Sequence, residues 1–499
     1  MTTETVRGGT ELELAGRVVE LAARIAGPGA QAEVVAAHTA DALTRFANSA
    51  IHQNVAEATT SVRLRLHVDG RTAVGSTTVT DPAGLATLVE RTVAAARLSP
   101  PDEGWPGLAP PVPLGAAGLV DEATALATPD ERAARIRDFV AAAGGLETAG
   151  FCRTSHTTAA FANSAGQSVE GRAADAGMDG IARVDGADGV ARRASGRLAE
   201  LDGAVLGARA AAKARAAADP VELPPGHYEV VLEPEAVADL LTNLAAFGFN
   251  GKAWAQGESF AELGAAQFDP AITLVDEPLG IAGEPVPGLP FDVEGTPRAA
   301  LVLVRDGTTT AVAHDRRSGA DAGAASTGHG SPVSRSWGPV AHHLRLVAGP
   351  GDPARAGGGS GPAAGPGGGS SPAAGWGDGP VADSGGGVSP VAPSAGPLVA
   401  AVERGLLVTD LWYTRVLDQK SLVVTGLTRN GVWLIEDGRI TRAVGNMRFT
   451  QSYPQALAAG AVRGIGAESV PLPDRWSGVR HRAPALHLAS WHLTGNASG

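Results

Sequence analysis

Histidine spacing is the first place to look for chemistry in this sequence, because a hydrolytic zinc site needs about three protein ligands and one open position for water. None of the twelve histidines lies four or five residues from another within a helix-like segment that also offers a glutamate. His342 and His343 are adjacent, so on a strand their side chains would point to opposite faces. His481, His487 and His492 lie in a strand-like or irregular stretch, and we interpret them as ordinary surface or partly buried side chains.

Other catalytic patterns are also missing from the sequence. It contains no GxSxG turn, no Walker phosphate loop and no Rossmann GxGxxG motif after a strand. Residues 357–369 are rich in glycine, but they lack the lysine and the helix that a phosphate cradle requires. Cys152 and His156 offer a thiol and an imidazole without a positioned third group, so we interpret Cys152 as a small buried apolar residue.

Composition and charge limit the class of protein. A chain of 499 residues with 44% hydrophobic content can bury substantial cores and is expected to hold two or three domains. Its formal net charge of −12 opposes a phosphate-binding surface, so we expect no nucleic-acid partner. The single cysteine excludes an internal disulfide. No signal peptide and no membrane span are visible, and we therefore expect a soluble cytoplasmic protein.

The elements that would position a site begin with a unit of strand, hairpin and helix. Residues 61–68 alternate apolar and polar side chains, Asp69 and Gly70 supply a tight turn, and residues 85–98 form a helical pattern. This unit occurs twice. The segment FANS at residues 46–49 recurs at 161–164, and an Asp-Gly turn follows each copy at almost the same distance. We infer an internal duplication, with a Pro/Gly-rich connector between the copies.

The pattern of the amino-acid sequence changes near residue 220, and this change predicts a domain boundary there. Residues 234–247 are predicted as an amphipathic helix that begins at a proline. Residues 349–397 are dominated by Gly, Pro, Ser and Ala, and we predict a disordered insert there. After it, residues 422–427, 432–436 and 439–444 predict a β-meander, with type I′ turns at 428–431 and at 437–438.

These patterns together predict an α+β protein. Duplicated strand-hairpin-helix domains at residues 1–115 and 116–219 precede a mostly β domain at 220–499, which the insert interrupts.

Six segments resemble the TldD/PmbA (TldE) family in their order and spacing. They are RFANSAIHQNV (45–55), HYEVVLEPEAVADLL (227–241), FDVEGTPR (291–298), GLLVTDLWYTR (405–415), TGLTRNGVWLIEDGRI (425–440) and NMRFTQS (446–452). The resemblance spans nearly the whole chain apart from the glycine-rich insert.

The resemblance implies a zinc metalloprotease system in which TldD-like subunits carry a His-Glu-x-x-x-His motif on a helix. Aligned on GFNG at residues 248–251, the first His, the Glu and the second His fall on Thr242, Asn243 and Phe247. The family's cysteine ligand from the C-terminal domain has no counterpart either, since no cysteine follows Cys152. The chain is therefore placed with the non-catalytic, TldE-like branch, with no catalytic residue, no metal ligand and no cofactor of its own.

In this interpretation the chain pairs with a TldD-like subunit that holds the zinc, and the assembly degrades unfolded or small peptides. An extended peptide would lie against a sheet edge. Candidate contacts are Thr425, Thr428, Arg429, Arg448 and Gln451, although turn and rim residues that stabilise hairpins are the competing interpretation.

Further candidates lie at a cleft or a subunit boundary. Asn48, His52 and Asn54 are candidates in the first domain, and Tyr413 and Arg415 are candidates for subunit packing. Two alternatives stay open: an active metallopeptidase with ligands that spacing does not reveal, and a homodimeric peptide-binding scaffold without catalysis.

Overall fold

The N-terminal half of the chain forms one antiparallel sheet that carries helices on one face. The computed structural model describes residues 10–281, 284–349, 389–473 and 480–497. The first copy of the repeated unit contains α1 (Thr10–Ala26), β1 (Gln31–Ala47), β2 (Ala50–Val68), β3 (Arg71–Thr77) and α2 (Pro82–Leu98). The second contains α3 (Glu122–Ala125), α4 (Pro129–Ala142), β4 (Glu147–Asn163), β5 (Ser168–Val184), β6 (Ala187–Ser195), a 3-10 turn (Leu198–Glu200) and α5 (Gly203–Ala216).

The two copies share this sheet, whose strand order is β3-β2-β1-β4-β5-β6. The first long strands of the copies, β1 and β4, pair antiparallel from Glu33 opposite Asn163 to Phe46 opposite Gly150. The units predicted at 1–115 and 116–219 are therefore halves of one sheet and not separate domains. The physical reason is that pairing β1 with β4 satisfies backbone groups that each half alone would leave at an open edge.

Alternate residues of the strands build apolar cores beneath the helices, because successive side chains of a strand point to opposite faces. Val34 and Leu64 are fully buried in the core under α1 and α2. Phe46 and Phe139 meet edge to face in the core under α4 and α5, with ring centroids 5.5 Å apart. Phe161 projects from the other face of the sheet into a separate apolar cluster, which it shares with Val169 of β5 and Phe291 of the C-terminal half.

Caps and turn residues explain where several elements begin. The Asp81 carboxylate accepts two backbone N–H groups in the first turn of α2. Thr128 and Glu131 form a reciprocal capping box at the start of α4. The predicted hairpin at Asp69 and Gly70 is present, with φ angles of 51° and 70° that both residue types tolerate.

The C-terminal half is mostly β, with short helices between its strands. Up to the glycine-rich insert its elements are β7 (Gly226–Leu232), α6 (Pro234–Asn243), a π-helical turn (Leu244–Gly248), α7 (Gly251–Ala255), β8 (Ile272–Asp276), β9 (Gly280–Ile281), β10 (Glu284–Pro285), β11 (Leu301–Arg305), β12 (Thr308–Thr309), α8 (Arg316–Asp321), α9 (Ser334–Trp337) and β13 (Leu344–Ala348). After the insert come a helical turn (Gly396–Val399), β14 (Arg404–Asp418), β15 (Val423–Glu436), β16 (Arg439–Ala443), β17 (Met447–Ser452), a second turn (Tyr453–Ala456), β18 (Val462–Ile465), β19 (Val470–Pro471), β20 (Arg482–Ala483) and β21 (Leu486–Asn496).

Two larger sheets enclose the main core of this half. One has the order β14-β7-β21-β17-β15-β16, with β18 on β21, and a further pairing of β14 with β15 closes the path into a ring. The other has the order β12-β11-β8-β13-β20-β19. Leu240 and Leu241 of α6 are fully buried in the core that these sheets share, so α6 is a central element of the domain.

The predicted turn at residues 428–431 is wrong, because β15 runs through it as one strand. Val408 of β14 pairs with Val432 and Asp410 pairs with Arg429, so two residues of β15 stand opposite one residue of β14. The extra residue is a β-bulge, and Asn430 has a φ of 58° there. An Asn-Gly pair suits a bulge as well as a hairpin turn. Here β15 pairs with β14 on both sides of the Asn-Gly pair, so a bulge forms instead of a turn.

The predicted insert at 349–397 lies mostly outside the described residues, which resume at Ser389. Its last part packs against the domain. Ala392 and Ala395 are buried, and the Ala392 N–H donates to Glu233 Oε1 at 2.6 Å. Residues 389–397 therefore belong to the packed fold, because small apolar side chains there reach a core and a buried carboxylate binds their backbone.

The prediction of an α+β protein with a mostly β C-terminal half is confirmed. Within the ranges that the structure describes, no helix is both long enough and apolar enough to cross a lipid bilayer.

Candidate functional site

The candidate site is the C-terminal end of α6 and the π-helical turn that follows it. Pro234 begins the helix, as predicted, and the buried Glu233 just before it pairs with the Lys213 ammonium group. Helix α6 ends at Asn243, and the Phe249 N–H then donates to the Leu244 carbonyl at 2.8 Å, a spacing of five residues. Such single π turns occur often at functional positions.

The three positions that align with the family's zinc motif make contacts within the protein. The Thr242 hydroxyl donates to the Ala238 carbonyl at 2.9 Å. The Asn243 amide donates to the Asp239 carbonyl at 3.0 Å. The Phe247 ring packs edge-on against Trp337.

These side chains do not fit a zinc ion. An engaged hydroxyl, an amide and a phenyl ring offer neither imidazole nor a proton-transferring carboxylate. Among residues 10–281, 284–349, 389–473 and 480–497, no three His, Cys, Asp or Glu side chains are grouped closely enough to hold a metal ion.

Asp239 connects the end of α6 to its surroundings. Its carboxylate accepts a hydrogen bond from the Thr414 hydroxyl of β14 at 3.0 Å and lies 3.3 Å from the Asn243 amide nitrogen. Burial and the neighbouring Asp239 carboxylate raise the pKa of Tyr453 well above its ordinary value. This polar cluster connects the helix end to β14 through hydrogen bonds.

The GFNG segment lies beside this helix end and is held in place by hydrogen bonds. The Asn250 amide donates to the Trp337 carbonyl at 2.7 Å, and its oxygen accepts from the N–H of Lys252. A Cβ atom at Gly338 would lie 2.1 Å from the Asn250 side chain, so only glycine fits there. Trp337 is held in place by its backbone, while its side chain stays 60% exposed beside Phe247.

The end of β14 next to α6, from Tyr413 onward, has no partner strand on the side of β7. Strand β7 pairs with β14 from Leu406 to Val408, and no other strand in the described part of the chain pairs with the end of β14 on that side. Tyr413 and Leu417, both in this end segment, are 64% and 62% exposed. The end of β14 therefore offers an apolar strand edge beside the Asp239 cluster.

The structure separates the predicted peptide contacts into two groups. Thr425 and Gln451 donate to backbone carbonyls of β17, and the buried Thr428 accepts the Met447 N–H at 2.9 Å. These three side chains therefore form hydrogen bonds within the sheet. Arg429 lies with its guanidinium 5.1 Å from the Trp412 ring, and the Arg448 side chain is exposed.

The remaining predicted residues lie in two places. Tyr413 and Arg415 are neighbours on β14, where the Arg415 guanidinium lies 5.5 Å from the Tyr413 ring. Asn48, His52 and Asn54 belong to the β1–β2 hairpin of the other sheet, with Asn48 in its turn and His52 exposed on β2. The structure does not bring these two groups into one sheet.

Sequence reasoning missed a buried ion cluster that joins the two halves of the chain. Arg192 of β6 donates to Asp179 at 2.6 Å and to the fully buried Asp410 of β14 at 3.0 Å. The Asn430 amide also donates to Asp410. Burial lowers the pKa of Arg192, but the two carboxylates outweigh it and raise that pKa above its ordinary value. The sequence feature that could have indicated this cluster is Asp410 itself, a charged residue in the mostly apolar segment LLVTDL.

Comparison with known proteins agrees with this fold. The model of the PmbA/TldA metallopeptidase C-terminal domain matches residues 225–361 and 371–495, and the model of PmbA/TldA metallopeptidase domain 1 matches residues 32–96. No curated protein sequence is significantly similar to the chain.

Three solved structures are similar over almost their whole length. TldE from Thermococcus kodakarensis has a TM-score of 0.77 at 17% identity, covering 97% of this chain and 100% of that one. A proposed modulator of a DNA gyrase from Thermotoga maritima has a TM-score of 0.72 at 16% identity, covering 96% of this chain and 99% of that one. A proposed modulator of DNA gyrase from Bacteroides thetaiotaomicron has a TM-score of 0.73 at 18% identity, covering 98% of this chain and 99% of that one. With family models matching more than half of its residues, the chain belongs to the PmbA/TldD metallopeptidase family.

Proposed function

We propose that this chain is the non-catalytic, TldE-like subunit of a cytoplasmic metalloprotease, and that a TldD-like subunit of the same family holds the zinc. The observation that carries the proposal is the chemistry of Thr242, Asn243 and Phe247, whose side chains bind neighbouring protein groups and supply no metal ligand. The Asp239 cluster supports it further, because hydrogen bonds to β14 hold the helix end in place.

We assign the assembly the degradation of unfolded or small peptides. The open edge of β14 supports a role for this chain in holding such peptides. An extended peptide can add to a strand edge through backbone hydrogen bonds, which need no particular sequence. Exposed Tyr413 and Leu417 would contact its side chains, and Arg429 lies on the neighbouring strand.

The test of the catalytic assignment is co-purification with a family member that contains His-Glu-x-x-x-His. We expect a stable complex that hydrolyses an unfolded peptide, with one zinc per pair of subunits, whereas this chain alone binds no stoichiometric zinc and is inactive. One tightly bound zinc on the isolated chain, with peptidase activity lost on chelation, would overturn the assignment. A homodimer that binds peptide but no zinc-bearing family member would support the scaffold alternative instead.

The test of the peptide site uses two matched exposed leucines. Leu417→Lys should weaken peptide binding by the complex and raise its KM, because a charge replaces an apolar contact at the β14 edge. Leu126→Lys is the control, since Leu126 is 66% exposed but lies far along the chain, in the N-terminal half. Equal KM values for the two variants would contradict a peptide site at this edge.

A further inference from the structure

A long strand edge without a partner lies on β2, in the N-terminal sheet. Strand β3 pairs with β2 only from Val62 to Val68, so residues 50–61 have β1 on one side and no partner strand on the other among the described residues. At about 3.4 Å per residue this edge is about 40 Å long. Residues 51–58 are all exposed, and Ile51 and Val55 are 39% and 41% exposed.

This edge lacks the features that usually protect an open strand from unwanted pairing. Exposed edges commonly carry lysine, proline or inward-pointing charges. Residues 50–61 contain no lysine and no proline, and Glu57 is their one formal charge. A long uncharged edge of this kind is a template for pairing with another strand, so its exposure in the isolated chain indicates that something else covers it.

The second copy of the repeated unit shows how the equivalent edge is covered within the chain. Strand β6 pairs with β5 only from Ala176 onward, which leaves residues 168–175 in the position that corresponds to the open edge of β2. The connector reaches this strand, since the Gln167 side chain exchanges hydrogen bonds of 2.9 and 3.0 Å with the backbone of Val112. Pro290 lies directly against Gly171, where a Cβ atom would come within 2.4 Å of the proline ring.

Two ion pairs also connect residues 168–175 of the second copy to other parts of the chain. Arg172 pairs with Glu122 at 2.7 Å, and Asp175 pairs with Arg480. Asp175 is buried, and Val169 is buried in an apolar cluster with Phe291. Among the described residues, none covers residues 51–58 of the first copy in this way, although the two copies are alike in strand order and similar in strand length.

We infer that residues 50–61 of β2 dock the zinc-bearing subunit of the proposed assembly, which adds its own equivalent β2 edge as an antiparallel strand. The inference rests on the proposed function, because that function supplies a partner of the same fold. The chain already joins two copies of its repeat in this way, since β1 and β4 are equivalent strands and pair antiparallel. A partner of the same fold offers a strand of matching length, which satisfies the backbone groups of both edges.

The docking edge gives a common role to the hairpin residues that the sequence singled out. His52 lies on it, Asn48 forms the turn at its end, and the Asn54 side-chain oxygen accepts from the Thr44 hydroxyl at 2.9 Å. That bond leaves the Asn54 amide hydrogens available to a neighbouring strand.

The test compares lysine substitutions on two different edges of the same sheet. The variant Ile51→Lys/Val55→Lys places two charges on the docking edge. The control Val74→Lys/Val79→Lys adds the same charge at residues on or just after β3, which are 44% and 51% exposed. All four positions are exposed, so both variants are expected to fold, which circular dichroism and thermal unfolding verify. Affinity for the His-Glu-x-x-x-His family member is then measured by pull-down and by calorimetry.

We expect the docking-edge variant to bind the partner on the order of tenfold more weakly or not at all, and the control to bind like the wild type. Equal affinity of both variants, with a wild-type complex present, would overturn this inference and leave the proposed function standing. If the wild type forms no complex, both fail together. Self-association of the wild type that only the docking-edge variant loses would assign the edge to a second copy of this chain and overturn the partner named here.

Discussion

Removing Arg192 should destabilise the protein far more than removing an ordinary surface arginine. The variant is Arg192→Met, which keeps an unbranched side chain but loses both ion pairs to Asp179 and Asp410. Asp410 is fully buried and also accepts a hydrogen bond from the Asn430 amide. Breaking a buried ion pair by deleting one partner costs about 3–5 kcal/mol, because the other charge stays buried without compensation.

The chain offers a matched control in Arg183→Met. Arg183 of β5 also forms an ion pair, with two hydrogen bonds to Asp188 of β6, but its side chain is 51% exposed. Exposed ion pairs contribute about 0–1 kcal/mol, because water solvates both partners when they separate. The two substitutions therefore remove the same functional group from pairs that differ mainly in burial.

Thermal and urea unfolding at neutral pH measure the difference. With a change of about 2–4 °C in Tm per kcal/mol, Arg192→Met should lower Tm on the order of 10 °C and Arg183→Met by a few degrees at most. The double variant Arg192→Met/Asp410→Asn should recover part of the loss, because it also removes the buried negative charge at Asp410. The reasoning is refuted if the two single variants lose equal stability, or if the double variant is no more stable than Arg192→Met.

Three further predictions concern other sites. The triple variant Thr242→His/Asn243→Glu/Phe247→His should show no peptidase activity in a fluorescent-peptide assay, because the sulfur ligand and the supporting hydrogen bonds are still missing; restored activity would contradict it. Burial and the nearby Glu294 raise the pKa of Asp292 to about 7, so the folded state binds a proton that the unfolded state releases near pH 4. The free energy of unfolding of the wild type, relative to Asp292→Asn, should therefore fall as pH rises from about 4 to about 7 in urea titrations, and a flat difference would contradict this cause. Burial raises the pKa of Cys152 to about 12, so Ellman's reagent should leave the thiol unmodified at pH 8 in the native protein and modify it after unfolding.

Local patterns in the sequence predicted the features that depend on neighbouring residues. The Asp-Gly turn at Asp69 and the helix that begins at Pro234 are present as predicted. Family membership followed from six motifs in a fixed order, and the comparisons confirm it. The side chains of Thr242, Asn243 and Phe247 contain no imidazole and no carboxylate, and this is a matter of residue type that no fold can change.

Tertiary structure decided the features that depend on which distant strands meet. Asn430 and Gly431 suit a hairpin turn or a bulge, and the pairing of β15 with β14 on both sides selected the bulge. The two repeated units could have been separate domains, but the pairing of β1 with β4 made one sheet. Asp410 acquired its partner from a residue more than two hundred positions earlier, Arg192, and local periodicity carries no information about such a contact. The sequence by itself thus determined the chemical capacity of each segment, whereas strand pairing and burial decided which edges and charges were satisfied within the chain and which stayed open.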